Sequence, residues 1–401
     1  MKILYITPTP PSPRFSGSGI RAFNTLRALS ACGQVTVLAL AYGKDRALFE
    51  DCKPWCREMV IMDARTILPS LWPNGRRNRW ECYWDTISTL EPFSIRFLDT
   101  SKFARMVQDH LDQVPDLIWV HSSWLAGCLP SLDWRRVVVD VDNLEYRLMR
   151  RTMPLTPSYG SKIFCETLEV WKQQLFERRI CKRAARALIC SEDDRRILGY
   201  DNVRVLPNCV DLPEKAPCGE SEVPQRLLFI GSMDYHPNID AVLFFCHTIL
   251  PEIRKVEPRA HLYIVGKEPT AEIRALHTGT DVVVTGTVPD VSPYFNSCCL
   301  VIVPLRAGAG TRVKILEAFA YGKPVVSTSL GCEGLEVHHG RDLYIADRPE
   351  EFAAACLELL SDREKRAALG AAGRRLVESQ YTGAVFGQVV RQVVSEVVSG
   401  L

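Results

Sequence analysis

Short apolar runs recur along the chain without internal alternation, at Lys2 to Thr7, Val35 to Leu40, Met59 to Met62, Leu117 to Val120, Val137 to Val139, Ala187 to Cys190 and Val203 to Leu206. Continuous hydrophobicity of this kind marks strands covered on both faces, as in parallel sheets packed under helices. The opening residues give the unit in full: a strand, a Pro/Ser/Gly loop, a helix from about Gly19 to Cys32, and a second strand. Leu212 to Gln225 (LPEKAPCGESEVPQ) then has no hydrophobic period and reads as a linker. After it the rhythm restarts at Leu227 to Ile230, Leu262 to Val265, Val282 to Thr285, Leu300 to Val303 and Pro324 to Ser327. Strands alternating with helices on both sides of a linker predict an α/β protein of two doubly wound domains, residues 1–211 and 226–379. In the last segment Phe386, Val389, Val390, Val393, Val394, Val397 and Val398 fall on one helical stripe, so a helix within 380–401 must bury that side. Valine is a mediocre helix former, and tertiary packing has to hold it.

Size agrees with two cores, because 401 residues exceed what one core usually supports. Charge narrows the partners. A net charge of +2 is far from the basic balance of a nucleic-acid binder. It is unevenly spread: residues 1–211 hold 30 Lys and Arg against 24 Asp and Glu, while residues 212–401 hold 19 against 23. The first domain is therefore expected to meet something anionic. Two basic stretches carry much of the excess, Arg76-Arg77-Asn78-Arg79-Trp80, near Trp72 and Trp84, and Tyr146 to Lys162 with Arg147, Arg150 and Arg151. Basic residues beside aromatics can seat a protein on an anionic membrane surface, and they also suit a solvated face near an anionic acceptor. No apolar run approaches the roughly 20 residues of a membrane span, and Ile3 to Ile6 is too short for a signal sequence. Fifteen cysteines lack paired spacing, and Cys52 with Cys56 has no second pair to complete a zinc site. Free thiols, a cytoplasmic setting, no metal and no cofactor are expected.

The sharpest chemistry lies in PLRAGAGTRVKILEAFAYGKPVV, Pro304 to Val326. A buried strand leads into a turn with Gly308 and Gly310, and helical spacing begins near Arg312. A strand, a glycine turn and a helix start point unpaired N–H groups and the positive end of the helix dipole at one place, which suits a diphosphate. Lys314 and Glu317, three residues apart, share a face of that helix, offering a cation for phosphate and a carboxylate for sugar hydroxyls. A lone pair at this spacing is otherwise an ordinary surface ion pair. In the first half, Ser16 to Gly19 (SGSG) lies between strand and helix, His121 directly follows one strand, and Asp142 with Asn143 follows another. Positions just past parallel strands line the ligand crevice of open α/β sheets. Asp140 and Asp142 also form an Asp-Val-Asp triplet whose alternation aims both carboxylates the same way.

At these motifs the chain resembles the glycosyltransferase family 4 enzymes. The resemblance rests on FIGSMDYHPN (229–238), IVGKEP (264–269), TGTVPD (285–290), KILEAFAYGKPVVST (314–328) and LPNCVD (206–211), in the family's order. It implies a GT-B fold whose C-terminal helix crosses back to the first domain. It also implies metal-independent transfer, with retention of configuration, from a nucleotide-diphosphate sugar to a sugar, lipid-linked or small-molecule acceptor. The implied donor contacts are Gly17, Gly19, Gly231, Gly266, Val288, Gly308, Gly310, Thr311, Arg312, Lys314 and Glu317, with Glu317 on the ribose. The acceptor side is Ser18, Arg21, His121, Asp142 and Asn143, and His121, Lys314 and Arg312 are the catalytic candidates. The family's first glutamate falls on Ala309, and its usual phosphate cations fall near Ser232 and Asn238, so Arg312 and Lys314 are expected to replace them. A nucleotide-sugar epimerase and a binding protein without catalysis remain as alternatives.

Overall fold

The computed structural model describes residues 1–12, 17–67, 86–96, 98–129, 132–155, 161–213, 222–308, 310 and 312–401. The chain divides into two compact units, Met1–Pro207 with Phe386–Leu401, and Asn208–Val385.

Unit 1 holds β1 (Lys2–Thr7), β2 (Gln34–Ala41), β3 (Glu58–Asp63), β4 (Leu117–His121), β5 (Val137–Asp142), β6 (Arg186–Ile189) and β7 (Val203–Val205). They form one parallel sheet in the order β3-β2-β1-β4-β5-β6-β7. The order reverses between β1 and β4, and that switch point opens a crevice beyond the carboxyl ends of the strands. Among its helices are α1 (Gly17–Ser30), α2 (Ser101–Leu111), α3 (Ser123–Cys128), α4 (Glu145–Thr152), α5 (Ser161–Arg183) and α6 (Glu192–Leu198). Ala22, Leu26 and Leu29 of α1 are fully buried at helical spacing, which fixes the face that packs on the sheet.

Unit 2 repeats the plan with β8 (Arg226–Ile230), β9 (His261–Val265), β10 (Val282–Gly286), β11 (Leu300–Val303), β12 (Val325–Ser327) and β13 (Tyr344–Ile345), ordered β10-β9-β8-β11-β12-β13. Its switch point lies between β8 and β11. Helices α7 (His236–Phe244), α8 (Val313–Ala320), α9 (Pro349–Ser361) and α10 (Arg363–Gln380) belong here. Of the stretch read as linker, 214–221 lies outside the described residues. Val223 already donates its N–H to the Ser297 carbonyl at 2.9 Å, and Glu222 pairs with Lys323 and Arg366.

Three details correct the sequence expectations. Helix α1 starts at Gly17 and ends at Ser30. His121 and Asp142 are the last residues of their strands rather than loop residues, because pairing continues to His121 opposite Asp140 and Asp142 opposite Ile189. In the terminal helix α11 (Gly383–Ser399), Phe386, Val390, Val393, Val394 and Val397 are buried, but Val389 is half-buried and Val398 is exposed near the helix end. Glu396 of α11 ties that helix down through Arg186 at 2.6 Å. Among the described residues no helix is long and apolar enough to cross a membrane.

Candidate functional site

In unit 2 the two strands flanking the switch point deliver their loops to one place. Strand β8 runs into Gly231, and β11 runs into the turn that ends at Arg312, the residue before α8. Lys314, in the first turn of α8, donates from Nζ to Asn238 Oδ1 at 2.7 Å and lies 4.2 Å from the centre of the Phe229 ring. Asn238, at the start of α7, turns its Nδ2 to the Ser232 carbonyl at 2.8 Å. A Cβ on Gly231 would sit 2.8 Å from Asn238 Nδ2 and 3.0 Å from Lys314 Nζ, so a side chain there would push the lysine out of place. Arg312 is buried and donates from Nη1 to the Gly310 carbonyl at 2.6 Å. A Cβ on Gly308 would lie 2.7 Å from Arg312 Nη2, so the glycine turn is moulded around the guanidinium.

Burial acts on both ionisable groups of α8. It pushes the Lys314 ammonium down to about 7, helped by the Arg312 charge and opposed by Glu317. It lifts the Glu317 carboxyl up to about 7, against the pull of Lys314. A lysine whose charge is held back by desolvation and by a neighbouring cation is restored by an incoming anion, which is what a phosphate site requires. Gly266 follows β9 and packs against Gly231, whose N–H donates to the Val265 carbonyl at 3.0 Å. Val288, after β10, is half-buried on the core. The loops after β8, β9, β10 and β11 thus bring Gly231, Gly266, Val288, Gly308, Gly310, Arg312, Lys314 and Glu317 to the carboxyl edge of one sheet. Thr311 and Ala309 lie outside the described residues.

At the corresponding edge of unit 1 the polar groups are locked together. Arg21 donates from Nε and Nη2 to Asp140 Oδ1 at 3.0 and 2.7 Å, and from Nη1 to the Leu206 carbonyl at 2.9 Å. Both side chains are wholly shielded from water. Arg21 therefore has an internal role, correcting the acceptor contact expected of it: it holds Asp140 and lies 3.8 Å from Asp142 Oδ1. The pairing of β5 with β6 slips between Asp140 and Asp142 and Asp142 adopts φ +59°, yet both carboxylates face the Arg21 guanidinium. His121 is buried, and its Nδ1 has no hydrogen-bond partner among the described residues. Desolvation lowers its pKa, against the pull of Asp140 and Asp142 and with help from the Arg21 charge, which favours the neutral imidazole. Asn143 turns sharply, its N–H reaching the Val141 carbonyl at 2.7 Å. Gly17 and Ser18 begin α1, and the Gly19 carbonyl accepts from the Ser12 N–H at 3.1 Å. Ser16 and the Trp-flanked basic segment around 72–84 lie outside the described residues. No three His, Cys, Asp or Glu side chains converge as a metal site among the described residues, and the thirteen described cysteines form no disulfide.

Sequence reasoning gave no role to Asn238 or Asp140, which fix Lys314 and Arg21. Asn238 carried a signal, since a family cation missing there is matched by a lysine at 314 that reaches it.

Two Rossmann-like units, each with a switch point in its strand order, are the architecture of the GT-B class. Comparisons with known proteins agree. Residues 224–362 match the family model of the glycosyl transferases group 1. The chain is 36% identical over 149 residues, 33% of its own length and 39% of the relative's, to a GDP-mannose-dependent alpha-(1-6)-phosphatidylinositol monomannoside mannosyltransferase of Mycobacterium tuberculosis. It spans little more than a third of the length of the curated relatives it matches. Among solved structures, sucrose-phosphate synthase from Thermosynechococcus elongatus superposes with a TM-score of 0.71 at 15% identity, covering 100% of both chains. HepE of Anabaena in complex with UDP-glucose gives 0.67 at 14% identity over 98% of this chain and 99% of that one. These likenesses show the fold.

Proposed function

We propose that this chain is a glycosyltransferase that moves a hexosyl group from a nucleoside-diphosphate sugar to an acceptor, with retention of configuration. The observation that carries the reading is Lys314, held by Asn238 against Gly231 at the switch point of unit 2, with Glu317 one turn further along the same helix. Unit 2 binds the donor: Lys314, Arg312 and the first N–H groups of α8 take the diphosphate, and Glu317 takes the ribose hydroxyls. These fixed cations and the helix dipole stabilise the departing diphosphate, whose oxygen helps deprotonate the acceptor. Unit 1 receives the acceptor at the ends of β4 and β5, near His121, Asp142 and Asn143. The donors named with HepE and with the mycobacterial relative make UDP-glucose and GDP-mannose the first to test, with sugar or lipid-linked acceptors. That the thirteen described cysteines form no disulfide supports a cytoplasmic setting.

The test is to incubate the purified protein with a panel of nucleotide sugars and measure nucleoside diphosphate released, with and without candidate acceptors. Release from one donor, accelerated by an acceptor and insensitive to chelator, supports transfer. Conversion of the donor to its epimer, or tight binding without any release, overturns it.

Glu317→Gln is expected to weaken donor binding roughly tenfold, because a charge-assisted hydrogen bond is worth about 1.5 to 3 kcal/mol. A 2′-deoxy donor should lose affinity for the parent protein and lose little more for the variant, since both changes remove one contact. Additive losses, read by calorimetry, would show that the carboxylate does not touch the ribose.

A further inference from the structure

Helix α5 buries polar side chains beside its core residues Val170, Phe176, Ile180 and Cys181. Its inward face carries Glu169, Lys172, Gln173 and Glu177, all buried. Lys172 Nζ bonds Glu169 at 2.8 Å and the Thr86 carbonyl, Gln173 bonds Glu177 at 3.1 Å, and Glu177 accepts the Glu145 N–H at 2.9 Å. Its outward face carries apolar side chains. Phe164, Trp171 and Leu175 are 53%, 47% and 44% exposed. At about 100° per residue they fall on one stripe about 40° wide. From Ile163 to Leu175 the exposed positions are Ile163, Phe164, Thr167, Trp171 and Leu175, with no charge among them. Beyond, the exposed positions of the helix are Arg179, Lys182 and Arg183, all cationic.

A solvent-facing helix normally places charge outward, so the exposed Trp171 and Leu175 call for a covering partner. The charge around the stripe selects the partner. The stripe ends in three cations, carries no exposed acid, and belongs to the half of the chain with excess Lys and Arg. A second copy of this stripe would bring no anion to meet them. Aromatic and aliphatic side chains beside a basic cluster match the boundary between lipid headgroups and acyl chains. We propose that α5 is a membrane-docking helix that lays this stripe on an anionic lipid surface. Phe164, Trp171 and Leu175 enter the interfacial layer, and Arg179, Lys182 and Arg183 pair with lipid phosphates.

The whole chain is tested by co-sedimentation with vesicles of phosphatidylcholine alone and of phosphatidylcholine with phosphatidylglycerol. Binding is expected to the mixed vesicles, weakening with salt. Arg179→Gln with Lys182→Gln should lower it roughly thirtyfold at low ionic strength. Trp171→Ser with Leu175→Ser should lower it roughly tenfold, and Phe164→Ser provides a milder variant should the double change disturb folding. Unchanged melting and circular dichroism accompany each variant. Equal binding to neutral and anionic vesicles, binding unaffected by every α5 variant, or no binding overturns the proposal. So does a dimer in sedimentation velocity that Trp171→Ser dissociates, which assigns the stripe to self-association.

Discussion

Asp140→Ala is expected to destabilise unit 1 by about 3 to 5 kcal/mol, because it leaves the Arg21 guanidinium charged, buried and short of its carboxylate. An arginine cannot escape by losing its proton, and burial of both groups leaves no water to replace Asp140. Arg21→Met should cost a similar amount by stranding the buried carboxylate. The double variant Arg21→Met with Asp140→Leu should recover most of the loss, since an apolar pair of matching volume can replace a buried ion pair. Chemical denaturation followed by fluorescence measures this, with the transition of unit 1 treated separately because a chain of two units need not unfold in one step. Single variants that each cost less than about 1 kcal/mol would mean the pair is solvated in solution.

The contrast between Arg21 and Lys314 explains what could be read beforehand. Strand runs were legible because full burial removes polar residues from a parallel sheet, and β1, β2, β4, β8, β9 and β11 lie on the apolar runs to within a residue, while β5 continues three residues past its run to Asp142. Two-residue β13 was not, since Tyr344 and Ile345 do not make a run. The unit 2 site was legible for a local reason: glycine turn, helix start, Lys314 and Glu317 are contiguous in sequence and need only one strand-turn-helix connection to come together. The unit 1 site was not local. Arg21 meets Asp140 from 119 residues away, and nothing in the spacing of either says that they pair. The slip after Asp140 is likewise set by pairing with β6 and has no mark in Asp-Val-Asp. Helix α5 shows the limit of pattern reading, because its inward side mixes Val170, Phe176, Ile180 and Cys181 with a buried polar network while Trp171 and Leu175 face outward, so no single apolar stripe marks the buried face.

Lys314→Met is expected to weaken binding of a nucleoside diphosphate roughly hundredfold and binding of the free nucleoside hardly at all. The ammonium makes charge-assisted bonds to phosphate oxygens, of which one strong or two ordinary ones account for this factor. The variant keeps the stem on Phe229 but drops the charge, and the melting temperature of the ligand-free protein should stay or rise because a desolvated ammonium is gone. The pH dependence gives the sign. Free Lys314 loses its proton at about 7, whereas a bound diphosphate favours the ammonium, so binding takes up a proton above pH 7 and affinity falls as pH rises. Glu317 works the other way: its carboxyl is protonated below about 7, so the ribose grip weakens as pH falls. Nucleoside affinity should therefore decline on the acid side, pyrophosphate affinity on the alkaline side, and a nucleoside diphosphate should bind best near neutrality. In Lys314→Met the alkaline decline should vanish while the acid limb remains. Calorimetric titrations at several pH values, in buffers of different ionisation enthalpy, count the protons taken up. An alkaline decline that persists in the variant would place the phosphate cation elsewhere in the loop.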